Sequence, residues 1–222
     1  MRRPDRGATT FSRTDELRKD FSEEQLAGIG AVAMAFNECE SIIDALLIVA
    51  LGGIPAQLFD EVMTRFGGLD VKVDIAKKAA ANVLGFEKAN LAAVVAALDE
   101  LLEYKRYRDA IVHAKLTNRK SGIGLVFKRG GKAYEILLTA KALNALYQRL
   151  WSLKKDLDTI SVTFDIRGYY LALDRAREMI KERDASWTPD VVEEHNELLA
   201  VVEENHKKRQ SLPPLPGFPE DR

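Results

Sequence analysis

Tyr104-Lys-Arg-Tyr-Arg-Asp-Ala-Ile-Val-His-Ala-Lys115 is the stretch on which the fold of this chain turns. Upstream of it, Leu91, Val94, Val95, Leu98, Leu101 and Leu102 recur at spacings of three and four, which predicts an amphipathic helix from Lys88 to about Ala114. Continuing that stripe places Lys105, Arg108, Asp109 and Val112 on the face expected to pack. A charge buried without a partner is costly, so these side chains need an opposite charge, a second subunit or a bound anion. Glu40 and Asp44, one turn apart on the first long helix, are candidate charge partners for Arg108 or Lys105. Ordinary flanking carboxylates of a bundle helix are the plainer reading of that pair.

The same stretch opens a local excess of positive charge. From Lys105 to Lys132 the chain carries Lys105, Arg106, Arg108, Lys115, Arg119, Lys120, Lys128, Arg129 and Lys132 against the single acid Asp109. The whole chain has a formal net charge of −1 and a pI of about 6.4, so the patch is a concentration of charge and not an average property. Such a patch is the footprint of a phosphate-bearing partner. It makes Lys105, Arg106, Lys115, Arg119 and Lys120 candidate RNA- or phosphate-binding residues. A solvated face on one side of a helix and hairpin is the alternative.

At 222 residues the chain is long enough for one well-cored domain with additions, or two small ones. Its 46% apolar and 30% charged content fits a helix-rich globular protein. Cys39 is the one cysteine, which excludes an intrachain disulfide and a cysteine-based metal cluster and suits a reducing compartment. Residues 1–20 are charged throughout, without the apolar core of a secretory signal. Glu38, Glu40 and Asp44 interrupt the longest apolar run, which argues against a membrane span. The expected location is cytoplasmic, with no membrane partner.

Residues 1–21 read as a mobile N-terminal arm. Ser22 with Gln25 forms a capping box at the head of a helix running from about Glu23 to Leu51, which stops at Gly52-Gly53. Its seam is Ile29, Val32, Phe36, Cys39, Ile43, Leu47 and Ala50. A short helix opened by Pro55 runs through Phe66, and another spans Val71 to Leu84 with Gly85 as its stop. After the central helix the period changes. Ile123-Gly-Leu-Val-Phe127 and Ala133-Tyr-Glu-Ile-Leu-Leu138 flank Lys128-Arg-Gly-Gly-Lys132, a hairpin signal. Thr139 caps a long helix from Ala140 to about Asp184, with a break or kink near Gly168 in its β-branched and aromatic portion. Thr188-Pro189 opens a last helix whose terminal charges, Asp190, Glu193 and Glu194 against Lys207, Lys208 and Arg209, complement the helix dipole. The tail from Leu212 holds four prolines and reads as unstructured.

His113 is the one histidine of the basic region; His195 and His206, eleven residues apart on the acidic last helix, read as structural. Asp109, four residues before His113, is placed to orient an imidazole and favour its protonated form. Arg108 lies five residues before it, about 140° around a straight helix. The two side chains therefore meet through the reach of Arg108, through a helix end at His113, or through a second copy of the helix. A histidine that moves a proton and an arginine that holds phosphate suit RNA cleavage by its own 2′-hydroxyl, which needs no metal or other cofactor.

Arg108-Asp-Ala-Ile-Val-His113 resembles the signature of the HEPN superfamily (higher eukaryotes and prokaryotes nucleotide-binding domains), an arginine followed after four to six residues by a histidine. Within the family the form Arg-Asn-x-x-Val-His is common. The context is similar too: Phe36-Asn-Glu-Cys-Glu40 leading into Ile43-Asp-Ala-Leu-Leu47 on a long first helix, short helices, the signature helix and a hairpin. The resemblance covers about Ser22 to Leu157.

It implies a mainly α fold, an up-down helical bundle with one small β-hairpin after the signature helix; the C-terminal helical extension and the proline tail lie outside the resemblance. The expected domains are 22–185, a helix at 186–211 and a proline-rich tail at 212–222. The resemblance also implies a homodimer with two signature helices facing each other, and a metal-independent endoribonuclease in a toxin, defence or RNA-processing role. A protein partner such as an antitoxin fits that setting. On this model Arg108, Asp109 and His113 are the catalytic residues: His113 transfers the proton, Arg108 holds phosphate and Asp109 fills the polar position after the arginine. Asp109 departs from the commoner asparagine, and its charge beside a phosphate site would tie up Arg108. Noncatalytic RNA- or nucleotide-binding and adaptor modules are also found in the family, and there Arg108 and Asp109 would be structural.

Overall fold

The computed structural model describes residues 21–51, 58, 61, 68–83, 88–113, 115–119, 122–129, 132–180 and 189–215. At 82, 83, 89, 113, 115–119, 122–129, 132–137, 167–180 and 189–195 it is the backbone that is described. These residues form a mainly helical bundle. In chain order the elements are α1 (Glu23–Ala50), α2 (Leu69–Lys78) and a π-helical turn (Ala79–Val83). They are followed by α3 (Lys88–His113), β1 (Lys115–Arg119), β2 (Gly122–Arg129), β3 (Lys132–Leu137), α4 (Ala140–Ile180) and α5 (Pro189–Gln210). The arm at 1–20, most of the short helix from Pro55, the glycine stops at 52, 53 and 85, and the tail beyond 215 lie outside the described residues.

The chain divides into two compact units. The first comprises Met1–Met34, Arg106–Gln148 and Pro213–Arg222. In it the capping box closes as the residue types require: Gln25 N–H donates to Ser22 Oγ at 3.2 Å, and Ser22 N–H donates to Gln25 Oε1 at 2.8 Å. The Gln25 amide goes further, donating from Nε2 to the Leu138 carbonyl at 2.5 Å and so tying the head of α1 to the end of β3. Thr139 Oγ1 accepts the Ala142 N–H at 3.1 Å and caps α4. Gly28 marks a close helix approach, because a Cβ built on it would stand 2.9 Å from Leu143 Cβ.

The strand-forming run in this unit is a three-stranded antiparallel sheet of order β1-β2-β3, not the single hairpin expected after α3. Leu116 pairs with Leu125, Phe127 with Tyr134, and Arg129 with Lys132. The sequence pattern marks the last two strands and misses β1, whose Lys-Leu-Thr-Asn-Arg lacks a run of β-formers. Pairing along β2 supplies what its own propensity does not.

The second unit comprises Ala35–Lys105 and Arg149–Leu212. Its apolar core draws Phe36, Cys39, Ile43, Leu46 and Leu47 from α1, and Val94, Leu98 and Leu101 from α3. Leu150, Leu153, Leu157, Ile160 and Phe164 come from α4, with Leu199 and Val202 from α5. Each such side chain contributes about 1.5–3 kcal/mol relative to exposure. The predicted helix from Val71 instead starts at Leu69 and changes to π geometry over Ala79–Val83. The kink expected near Gly168 is absent as a helix break: α4 runs unbroken to Ile180. Its β-branched portion is accommodated because Thr159 and Thr163 hydroxyls donate to carbonyls four residues back, at 3.0 and 2.9 Å, while Ile160 and Phe164 are buried.

Among the described residues, no helix is long and apolar enough to cross a membrane.

Candidate functional site

The signature residues fall at the C-terminal end of α3, whose last helical residue is His113. The packed face of this helix is offset from the one the leucine pattern predicts. Ala93, Val94, Ala97, Leu98, Leu101, Tyr104, Ala110 and Ile111 are buried, whereas Lys105, Arg108 and Asp109 are half-buried and Val112 is exposed. The small alanines 93 and 97 are on the packed face, and larger residues such as Leu91 and Leu102 are displaced to its edge. The charges therefore sit at the rim of the packed face and not in its middle, where full desolvation would have penalised them.

Each of these charges has an identifiable partner. Arg108 Nη1 lies 2.8 Å from Oδ1 of the adjacent Asp109. Lys105 pairs with Asp70 of α2. Glu40 and Asp44 converge on Lys72, whose Nζ is 3.4 Å from Glu40 Oε1 and 2.7 Å from Asp44 Oδ1. Burial works against the Lys72 ammonium, but the hydrogen bond and charge of Asp44, then those of Glu40, outweigh it and raise its pKa above 10.5. Lys72, a residue the sequence pattern does not single out, is thus the cation those two carboxylates hold. Arg106 is exposed. The side chains of His113, Lys115 and Arg119, and the whole of Lys120, lie outside what is described.

A second charged group, unforeseen from sequence, is built around the buried side chains of Glu100, Asp156 and Arg209. It joins α3, α4 and α5 within the second unit. Glu100 of α3, with a side chain 1% exposed, accepts at Oε1 from Tyr104 OH at 2.7 Å and from Arg209 Nε at 2.8 Å. Its Oε2 is 2.8 Å from Nδ1 of His206. Arg209 Nη1 lies 2.5 Å from Asp156 Oδ2 and donates to Ser152 Oγ at 3.0 Å. Asn205 Nδ2 donates to Asp156 Oδ1 at 2.8 Å. Burial raises the Asp156 pKa in spite of the Asn205 hydrogen bond and the Arg209 charge. Burial opposes the Arg209 cation, yet Glu100 and Asp156 hold its pKa up. Burial and then the charge of Glu100 push the Tyr104 hydroxyl far above its usual range.

Arg209 corrects an expectation. It reads as one of three terminal cations complementing the helix dipole, yet it turns inward, 5% exposed. Lys207 and Lys208 remain outside, paired with Glu203 and Glu204 one turn back. The signal was available: Arg209 follows Leu199 by ten residues and Val202 by seven, so it continues their face. Asp156 likewise sits between Leu153 and Ile160 on the stripe of α4. His206 is structural in the sense expected, tied to a carboxylate; the His195 side chain lies outside the described residues.

The remaining chemistry-bearing groups are quiet. Cys39 is buried, its Sγ 3.8 Å from the Leu150 carbonyl oxygen, and burial pushes its thiol pKa up to about 12. Such a thiol holds almost no thiolate at neutral pH and is a poor nucleophile. Among the described residues no group of three or more His, Cys, Asp or Glu side chains could hold a metal ion.

Comparison with protein-family models, with curated proteins and with solved structures gives no match.

Proposed function

We propose that this protein is a HEPN-type, metal-independent endoribonuclease that cleaves RNA by 2′-hydroxyl attack across a homodimer interface. The observation that carries the reading is the position of Arg108-x4-His113: α3 ends at His113, and β1 of the cationic segment begins two residues later at Lys115. Both residues lie within α3, about 140° apart around it, so a second copy of α3 facing the first would supply the complementary half of a site. In that site His113 moves the proton and Arg108 stabilises charge growing on the phosphate, while Lys105, Arg106, Lys115, Arg119 and Lys120 hold the flanking backbone. A toxin, defence or RNA-processing role, with an antitoxin-like partner, follows from the same resemblance.

The test is cleavage of single-stranded and structured RNA by purified protein with EDTA present. Cleavage should occur, and His113→Ala should lower it by about two to four orders of magnitude. Intact RNA, or cleavage indifferent to His113→Ala, refutes the proposal.

One observation favours a second reading. The 2.8 Å pair between Arg108 and Asp109 occupies the guanidinium that a phosphate would need. A noncatalytic HEPN-like RNA-binding or adaptor module, with Arg108 and Asp109 structural, accounts for it. That reading expects Arg108→Ala to lower thermal stability while RNA is neither cut nor bound.

A further inference from the structure

Two half-buried cations near the end of α3 are each held by a carboxylate of the chain itself, Arg108 by Asp109 and Lys105 by Asp70. Asp109 is the next residue and travels with Arg108. Asp70 belongs to α2 and can part from Lys105 without disturbing α3. The pair is open to water, with side chains 64% exposed at Asp70 and 25% exposed at Lys105. A pair of this kind is weak and is screened by salt.

The seat of α2 does not depend on that pair. Leu69, Val73 and Ala76 are buried beneath it, Lys72 ties it to Glu40 and Asp44 of α1, and Lys77 ties it to Asp99 of α3. Nor is Asp70 bound to Lys105 for want of another place. It is the acid of the first turn of α2, and Gly68 at the N-cap supplies no side-chain cap. The positive end of the helix dipole therefore offers its carboxylate a second electrostatic home. Lys105, for its part, opens the cationic run that extends to Lys132. A strand of phosphates that engages several of these cations at once releases counterions at each contact and outcompetes a single exposed carboxylate.

We infer that Asp70 makes an autoinhibitory contact as a built-in competitor of the phosphate backbone. It holds Lys105 when no polyanion is bound, and a bound strand takes Lys105 over while Asp70 turns to the head of its own helix. The inference rests on the phosphate-binding part of the proposed function and does not depend on whether the strand is cut.

The test titrates the full-length protein with a fluorescein-labelled 2′-O-methyl oligouridylate, followed by anisotropy over a range of salt. The methylated hydroxyls of this probe cannot attack, so cleavage does not enter. Asp70→Asn, a change at an exposed position, should bind about three- to fivefold more tightly at low salt. Its plot of log affinity against log salt should be steeper by about 0.7, the value of one phosphate contact on a single strand. Asp74→Asn makes the same change of charge on the same helix, where the carboxylate pairs with Lys78 one turn on, and should leave both quantities at their wild-type values. In a Lys105→Ala background, Asp70→Asn should gain nothing. Equal affinity of wild type and Asp70→Asn, an equal gain from Asp74→Asn, or a gain that survives Lys105→Ala overturns the inference. So does failure of every variant to bind. Ordinary RNA left uncut while the Asp70→Asn gain persists refutes the nuclease and upholds the inference.

Discussion

Glu100 and Arg108 lie about two turns apart on α3 and meet opposite fates. Glu100 is closed in by Tyr104, His206 and Arg209 from two helices, with its side chain 1% exposed. Arg108 stays at the rim, 23% exposed, paired with its chain neighbour Asp109. Both are charges on a helix with a strong apolar pattern. A charge in such a pattern announces that a partner exists. It does not say whether the partner is the next residue, which leaves the pair near water, or a distant helix, which allows full burial.

The sharpest way to break this comparison is to remove one arginine from each region and follow urea unfolding. Arg209→Ala leaves Glu100 and Asp156 buried without their cation and should cost about 3–5 kcal/mol. Arg108→Ala opens a half-exposed pair and should cost less than about 1 kcal/mol. Equal losses would erase the distinction between the two patches, and a large loss for Arg108→Ala would favour the noncatalytic reading.

A smaller effect tests the close packing of α1 on α4 in the first unit. Gly28→Ala sets a methyl 2.9 Å from Leu143 Cβ and should destabilise by about 1–3 kcal/mol through forced displacement of the helix. Gly30→Ala meets nothing within 4 Å and should stabilise by roughly 0.5–1 kcal/mol through helix propensity. Opposite signs two residues apart, read by thermal melting, would mark the approach of α1 to α4 as steric. Matching signs would dismiss it.

The smallest effect is the pH dependence of Lys72. Its folded-state pKa is raised above 10.5, so its contribution is fully present below that value and is lost as pH climbs through the raised pKa. The stability difference between wild type and Lys72→Met should be no more than about 1 kcal/mol below pH 10.5 and should vanish at higher pH. A difference that grows with alkalinity would contradict the Glu40–Asp44–Lys72 pairing.

Much of the local architecture was legible in the sequence because its causes are local. Ser22 with Gln25 and Thr139 with the following turn cap their helices through residues three apart, and both caps form. The spacing of Val32, Phe36, Cys39, Ile43 and Leu47 marks the buried face of α1. The candidate nuclease site is legible to the same degree, as a string of residues at a helix end. The string suggested that Asp109 would tie up Arg108, but nothing in it dictates that Lys105 would take Asp70, or that Glu40 and Asp44 would hold Lys72.

By itself, then, the sequence determined where helices begin, which apolar residues line them, and that the fold is mainly helical, since capping and periodicity act over three or four residues. The tertiary structure alone decided which charges are buried. Glu100, Asp156 and Arg209 are separated by more than fifty residues from one to the next. The packing of three helices brings them within hydrogen-bonding distance, in surroundings that make an unpaired charge untenable. β1 was decided in the same way, because a strand of weak propensity exists only where a neighbour offers it an edge.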